Sequence, residues 1–236
     1  MNTKSQFNQG LRDGVPVVFG YLPVGFAFGV TATAGGIPPW LVVLISLTNF
    51  TSAGQLMGAT LIIAGAPIFE IAVTTLIINI RYVIMSMSFS QRIKPNMPLA
   101  EKMIAAFAIT DEIFAVASLK KGEVTFNYIT GLVSGPYIGW SLGTLLGAYA
   151  TNLLPLGVQQ SMGIALYAMF IALILPAARE SLAVTVVAGV AVAVSVLFKT
   201  LPFLSTISAG YVIIICTIIA AALGAYLFPR EEEDLT

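Results

Sequence analysis

The 236-residue chain contains no histidine and a single cysteine. Without histidine there is no Ser–His nucleophile and no HExxH zinc site. Cys216, alone in an apolar run, makes neither a disulfide framework nor a metal site. Charge is scarce: 9% of residues are Asp, Glu, Lys or Arg, against roughly 25% in soluble domains. Net charge is zero, which leaves no electrostatic footprint for nucleic acid. No Walker motif is present, so any use of ATP would need another chain. Asp111 is the only aspartate in the middle of an apolar run, so an Asp–Asp protease dyad cannot form within the chain. The polar start, MNTKSQFNQGLRDGVP, lacks the apolar core and cleavage site of a secretory signal. These absences point away from an enzyme, and neither a metal nor a cofactor is expected.

What is abundant is apolar. Hydrophobic residues make up 58% of the chain, and mean hydropathy is +0.94. Runs of about 20 apolar residues mark membrane-spanning helices. Eight are read, at 14–34, 38–63, 67–90, 99–119, 126–150, 158–178, 181–199 and 202–228. The expectation is an all-α, multi-pass membrane protein with one transporter domain over 1–236. A polar stretch at 1–13 and an acidic tail at 229–236 flank it. Pro38-Pro39, Pro67, Pro95 with Pro98, Pro155 and Pro202 fall between runs or in first turns. With both termini in the cytoplasm, Lys4, Arg12, Lys120, Lys121, Arg179 and Arg230 lie inside, and Arg92, Lys94, Lys102 and Lys199 outside. Six against four is a poor positive-inside bias.

An internal echo is visible. GYLPVGFAFG (Gly20–Gly29) resembles SGPYIGWSLG (Ser134–Gly143), and each opens a three-helix stretch. One reading is a parallel three-helix repeat with a site at its interface. The other is two helices that both need close packing, through Gly25 and Gly29 in one and Gly139, Gly143 and Gly147 in the other.

Polar residues interrupt three of the runs. In the second, Thr48, Ser52 and Gln55 share a helical face, with Asn49 to one side. Interhelical hydrogen bonding and cavity lining both fit that stripe, and Gly54 and Gly58 would permit a local break. The third run holds Asn79, Arg81 and Tyr82, and the fourth holds Thr110, Asp111 and Glu112. A guanidinium cannot be discharged, and at mid-membrane it costs about 3 kcal/mol or more. On neighbouring antiparallel helices Arg81 and Asp111 come within about 6 Å in depth, so the acid is a plausible partner. A register-fixing ion pair would account for this much. Two adjacent acids for one arginine point further. They lie about 100° apart around a helix, so one can balance Arg81 while the other faces a cavity beside Ala108 and Ala115 and carries a proton. Asp111, the shorter, is taken as the balancing residue and Glu112 as the carrier.

At these segments the chain resembles the AzlC-like branched-chain amino acid permeases. NFTSAGQLMGATLIIAGAP, LIINIRYVIMSMSF and ITDEIFAVA are similar, in order and spacing, to that family's Phe…Gln, Asn-x-Arg and Thr-Asp-Glu segments. The resemblance implies a multi-pass protein of the bacterial inner membrane that exports leucine, isoleucine, valine or analogues, in some members methionine. It also implies a small AzlD-like membrane partner of about four helices. By match of motif it carries over Gln55, Asn79, Arg81, Thr110, Asp111 and Glu112. Tyr82 stands where many members have His, and Ser52 and Gly54 replace the usual Gly and Ser, which bears on fine specificity. Arg81 with the Asp111/Glu112 pair would clamp both ends of an amino acid, and Met85, Phe107 and Phe114 would take a branched side chain. The expectation is a proton-coupled secondary exporter. The rivals are an ion channel, which conducts without saturating, and a structural subunit of a larger complex.

Overall fold

The computed structural model describes residues 3–228 apart from Pro95, Lys121 and Ser205; the acidic tail lies outside the described residues. Helices account for nearly all regular structure among them. α1 is Thr3–Ala34, α2 Pro39–Thr48, α3 Ala53–Ile63, α4 Ile68–Asn79, α5 Arg81–Ser90, α6 Leu99–Phe107 and α7 Asp111–Leu119. α8 is Phe126–Ala150, α9 Leu156–Glu180, α10 Leu182–Thr200 and α11 Ala209–Leu227. Prolines 38, 67 and 98 precede α2, α4 and α6, where fixed φ and a missing N–H do no harm. Thr110, Thr125 and Ser181 cap α7, α8 and α10 by accepting a backbone N–H.

The runs expected at 38–63 and 99–119 are not crossings. Each is a pair of short helices that returns to the face it came from. α2 and α3, at 10 and 11 residues, reach only about 15 Å each. α3 runs back antiparallel to α4, with Gly54 against Asn79 and Gly58 near Thr75. Its end, Ile63, packs on Gly35 at the end of α1, so this hairpin opens on the far face. The second hairpin, α6–α7, opens on the opposite, N-terminal face. There Arg92 donates to the carbonyls of Ser118 and Lys120. The main chain pairs beside it, Lys94 N–H to Val124 O at 3.1 Å and Val124 N–H to Arg92 O at 2.9 Å.

Local chemistry sets both tips. Asn49-Phe50-Thr51-Ser52 offers side chains that compete for backbone groups. Thr51 Oγ1 donates to Asn49 Oδ1 at 2.7 Å, and Ser52 turns the chain with φ +50°. The stripe expected on one helix is therefore split between two. At the second tip Thr110 starts a new helix with two acids in its first turn, a favourable N-terminus. Between the hairpins, α4 and α5 form one 23-residue span, Ile68–Ser90, tightened at Ile80 by bonds from Ile80 N–H to Ile77 O and Val83 N–H to Ile80 O.

α1 and α8 are the scaffold. They run parallel: Gly10 meets Tyr128 and Leu132, while Gly29 meets Thr144 and Ala148. At Gly143 and Gly147 the backbone of Leu22 and Phe26 lies where a Cβ would be, and at Gly139 the Val18 side chain is 3.1 Å from it. The two echo segments thus face each other. The repeat expected from them is not confirmed: among the described residues the chain after α8 runs through the full-length helices α9, α10 and α11.

Four segments, Lys4–Ala34, Ile68–Ser90, Leu182–Thr200 and Ala209–Leu227, are long and apolar enough to cross a membrane. α8 and α9, at 25 residues each, are about 37 Å long. The path closes consistently: α11 starts beside the start of α4, where Glu70 Oε1 accepts from Ser208 Oγ at 2.5 Å and Gly210 N–H at 3.1 Å. With α8 and α9 taken as crossings beside these four segments, the described helices trace six passes and two hairpins, and the eight-pass count is not confirmed. This path redistributes the charges. Lys4, Arg12, Arg92, Lys94, Lys102, Lys120 and Arg179 share the N-terminal face, and Lys199 sits on the far one.

The two topologies separate by labelling. Ala66→Cys and Glu123→Cys, each in a Cys216→Ser background, should react with an impermeant thiol reagent from opposite sides of the membrane. An eight-pass chain would expose both on one side. Gly143→Leu should abolish stable folding, seen as loss of monodisperse protein on size exclusion, because a side chain there meets the α1 backbone.

Candidate functional site

The two hairpin tips, entering from opposite faces, meet at the middle of the α4–α5 span. Arg81, first residue of α5, lies between them. Its Nη1 is 2.8 Å from Asp111 Oδ2 at the second tip. Its Nη2 donates to the Tyr82 hydroxyl at 3.3 Å, with the guanidinium 5.0 Å from that ring's centre. Tyr82 donates in turn to the Thr51 carbonyl at the first tip, at 3.0 Å. α5 and α7 run parallel here, not antiparallel: both start at mid-depth and lead toward the N-terminal face, with Phe89 against Phe114 lower down.

Glu112 points elsewhere. Its Oε2 is 2.5 Å from the Tyr21 hydroxyl of α1, which is also 2.7 Å from Thr110 Oγ1. A hydroxyl has one proton. Tyr21 therefore donates to the carboxylate and accepts from Thr110, giving a Thr110–Tyr21–Glu112 relay. Phe50 and Trp140 hold the Tyr21 ring edge-on, at 5.6 and 5.4 Å. The centre thus contains one cation and two acids.

The other candidates divide. Gln55 is 1% exposed, and both ends of its amide are engaged. Nε2 donates to Ser46 Oγ at 2.5 Å, and Oε1 accepts from Trp140 Nε1 at 3.1 Å. Ser46 lies 2.8 Å from Thr144 Oγ1, so this network pins the first hairpin to α8. Asn79 lies against Gly54, and its buried Oδ1 has no partner. Phe107 packs on Tyr137, and Met85 and Phe114 lie against the main apolar core. Sequence reasoning missed Tyr21, Ser46, Trp140 and Thr144, which read as ordinary membrane-helix residues. It also missed Glu70, 2% exposed, which accepts from Ser208 and Gly210 at the start of α11.

The pair is not sealed. The side chains of Arg81 and Asp111 are 41% and 35% exposed. Lipid cannot solvate charges at that depth, so the opening belongs to water, substrate or a covering protein.

Residues 16–154, more than half of the chain, match the AzlC protein family. The chain belongs to the AzlC family. The AzlC match contains both hairpins, the α4–α5 span and α8; α9–α11 lie beyond it. The chain is 30% identical over 188 residues to the inner membrane protein YgaZ of Escherichia coli (strain K12), which covers 76% of this chain and 77% of that one. It is 32% identical over 197 residues to an uncharacterized membrane protein of Archaeoglobus fulgidus, covering 83% and 86%. No solved structure matches.

Arg81 serves two partners through two nitrogens, which a lysine cannot reproduce. Arg81→Lys should fold but lose at least tenfold in activity. Asp111→Asn leaves a guanidinium at mid-depth without its counter-ion. It should lower yield and melting temperature more than Arg81→Lys does.

Proposed function

We propose that this AzlC-family protein is a secondary exporter of branched-chain amino acids. The observation that carries the reading is the unequal charge count at the meeting of two hairpin tips: Arg81 is balanced by Asp111, and Glu112 is left with a tyrosine hydroxyl. Broken helices that meet at mid-depth are the usual site of substrate and coupling ion in transporters. Family membership supports a role in membrane transport. The concentration of basic residues on the N-terminal face supports placing that face in the cytoplasm. The half-exposed ion pair supports a covering partner, the small AzlD-like protein, over α4–α5.

In this reading Glu112 takes a proton from one side and releases it to the other as the hairpin tips part in turn. Tyr21 holds its carboxylate. The substrate occupies the opening beside Arg81, its ammonium toward the acids and its carboxylate toward the guanidinium.

The decisive experiment is efflux of labelled leucine, isoleucine, valine and methionine from vesicles, with the chain alone and with its partner. An exporter saturates and concentrates substrate against an imposed pH gradient. Conductance without saturation would instead establish a channel, and activity only from the partner a structural subunit. Glu112→Gln should keep exchange across the membrane yet lose pH-driven accumulation, with yield near wild type. Tyr21→Phe, which keeps both ring contacts, should shift the pH dependence of accumulation and leave exchange intact. If Glu112→Gln still accumulates substrate fully, Glu112 is not the carrier.

A further inference from the structure

Near the N-terminal face, α1, the end of α7 and the start of α8 enclose a cavity of about 630 Å³ that the charge centre does not use. Its polar part is lined by Arg12 and Asp13 of α1, Lys120 just after α7 and Tyr128 of α8. Pro16, Val116 and Leu119 form the apolar part. Two helices give its depth separately. Tyr21 and Asp111 lie at the middle of the membrane, at the second hairpin tip. Arg12 is nine residues before Tyr21, and Lys120 nine residues after Asp111. At 1.5 Å per residue each cation therefore sits about 13 Å from the middle. Half the hydrocarbon thickness is about 15 Å. Both charges stand where acyl chains give way to headgroups, and Pro16 and Val116 lie on the membrane side of them, about 7 Å from the middle.

These charges are not paired off among themselves. Among the described residues Arg12 has no hydrogen bond or ion pair. The Lys120 ammonium donates to the Glu123 carbonyl at 2.7 Å and lies 4.8 Å from the centre of the Tyr128 ring. An ammonium has three donors, so two remain. Asp13 is the one acid on the lining, and it accepts from the Tyr128 hydroxyl at 2.9 Å. Glu123 and Glu101 line a neighbouring cavity with Lys94 instead. Two cations against one carboxylate leave a positive excess beside an apolar wall. Leu119 on that wall is 84% exposed, so the cavity opens sideways to the bilayer. A soluble anion would satisfy the cations and leave the wall bare. An anion with hydrocarbon attached satisfies both.

We propose that this cavity binds an anionic phospholipid of the leaflet on the N-terminal face, its phosphate on Arg12 and Lys120 and an acyl chain along Val116 and Leu119. A phosphoglycerol headgroup fits the remaining polarity. Its phosphate brings a single negative charge to the positive excess, and its hydroxyls can donate to the Asp13 carboxylate. The lipid ties α1 to the end of α7, the helix whose other end carries Asp111 and Glu112. This binding stands whether or not the chain exports amino acids.

The test uses the full chain in detergent and follows its melting temperature against phosphatidylglycerol. Phosphatidylethanolamine with the same acyl chains and sodium phosphate are the controls. Phosphatidylglycerol should protect in a saturable way and at lower concentration than phosphatidylethanolamine, and inorganic phosphate should not protect. Arg12→Gln and Lys120→Gln should each raise the phosphatidylglycerol concentration for half-protection about fivefold. Lys199→Gln, on the far face, should leave it unchanged. Arg12 is exposed, so Arg12→Gln should fold as wild type does. It carries the test should Lys120→Gln, which loses the bond to Glu123, fail to fold. No protection by phosphatidylglycerol, or equal protection of wild type and Arg12→Gln, would overturn the proposal. Equal protection by the two lipids would also overturn it, leaving an acyl chain in a greasy slot. Inorganic phosphate reproducing the effect with the same residue dependence would overturn it in favour of a soluble-anion site.

Discussion

The guanidinium of Arg81 is the constraint around which the membrane centre is arranged. It is the one permanent charge at mid-depth, and it cannot be neutralised by losing a proton. It reaches the second hairpin through Asp111 and the first through Tyr82 and the Thr51 carbonyl. The two tips, which enter from opposite faces, are tied to each other through this side chain, through the Tyr21 ring, which touches Phe50 on one side and Glu112 on the other, and through Tyr137 of α8, edge-on to both Phe50 and Phe107. The polar links among these are few. Such links can be exchanged for substrate or water at small net free energy, whereas an apolar seam of the same extent could not.

The contrast with α1 and α8 is physical. Their seam is glycine against backbone, from Gly10 and Gly131 at one end to Gly29 and Gly147 at the other. Close packing of this kind is bistable at best and does not slide by degrees. The Gln55–Trp140–Ser46–Thr144 network fastens the arms of the first hairpin to α8 one turn below its tip. Asn49–Ser52 lies beyond it, held by Phe50 against Tyr21 and Tyr137 and by the Thr51 carbonyl on Tyr82. The second hairpin is tied at its open end by the Arg92 and Lys94–Val124 contacts. Both hairpins are therefore anchored at their bases or arms by polar contacts, while Phe50 and Ile109 at their tips sit in the main apolar core.

Hydropathy cannot tell a crossing from a hairpin, because both are some 25 apolar residues between polar loops. That is why 38–63 and 99–119 read as spans. What distinguishes them is a helix stop and start in mid-run. Both were legible: Asn-Phe-Thr-Ser as competing side chains, and Thr-Asp-Glu as a capped N-terminus with acids in its first turn. Those residues read first as buried polarity needing a function, and the structural signal in them was overlooked. The Arg81–Asp111 contact was reachable from sequence despite the wrong helix direction. The midpoint of a span and the tip of a hairpin lie at the same depth, so the depth argument holds for either path. Tyr21 was not legible, because only the parallel packing of α1 on α8 brings it to the second tip.

Topology also changes what the charges mean. Read as eight passes, the basic residues divide almost evenly, and the chain has no clear orientation. With two of those passes folded into hairpins, seven described basic residues gather on the N-terminal face and one remains opposite. The positive-inside rule is a rule about loops near the ends of true crossings. A hairpin counted as a crossing inverts every loop after it until a second one restores the parity. Here Arg92 and Lys94 lie between the two hairpins and Lys102 near the start of the second, and these are the residues whose side is inverted in the eight-pass reading. Their return to the N-terminal face follows from the same path that the hairpin contacts define, and it gives that path a clear positive-inside bias. Charge distribution and packing thus describe one path through the membrane, with both tips and the charge they share at its centre.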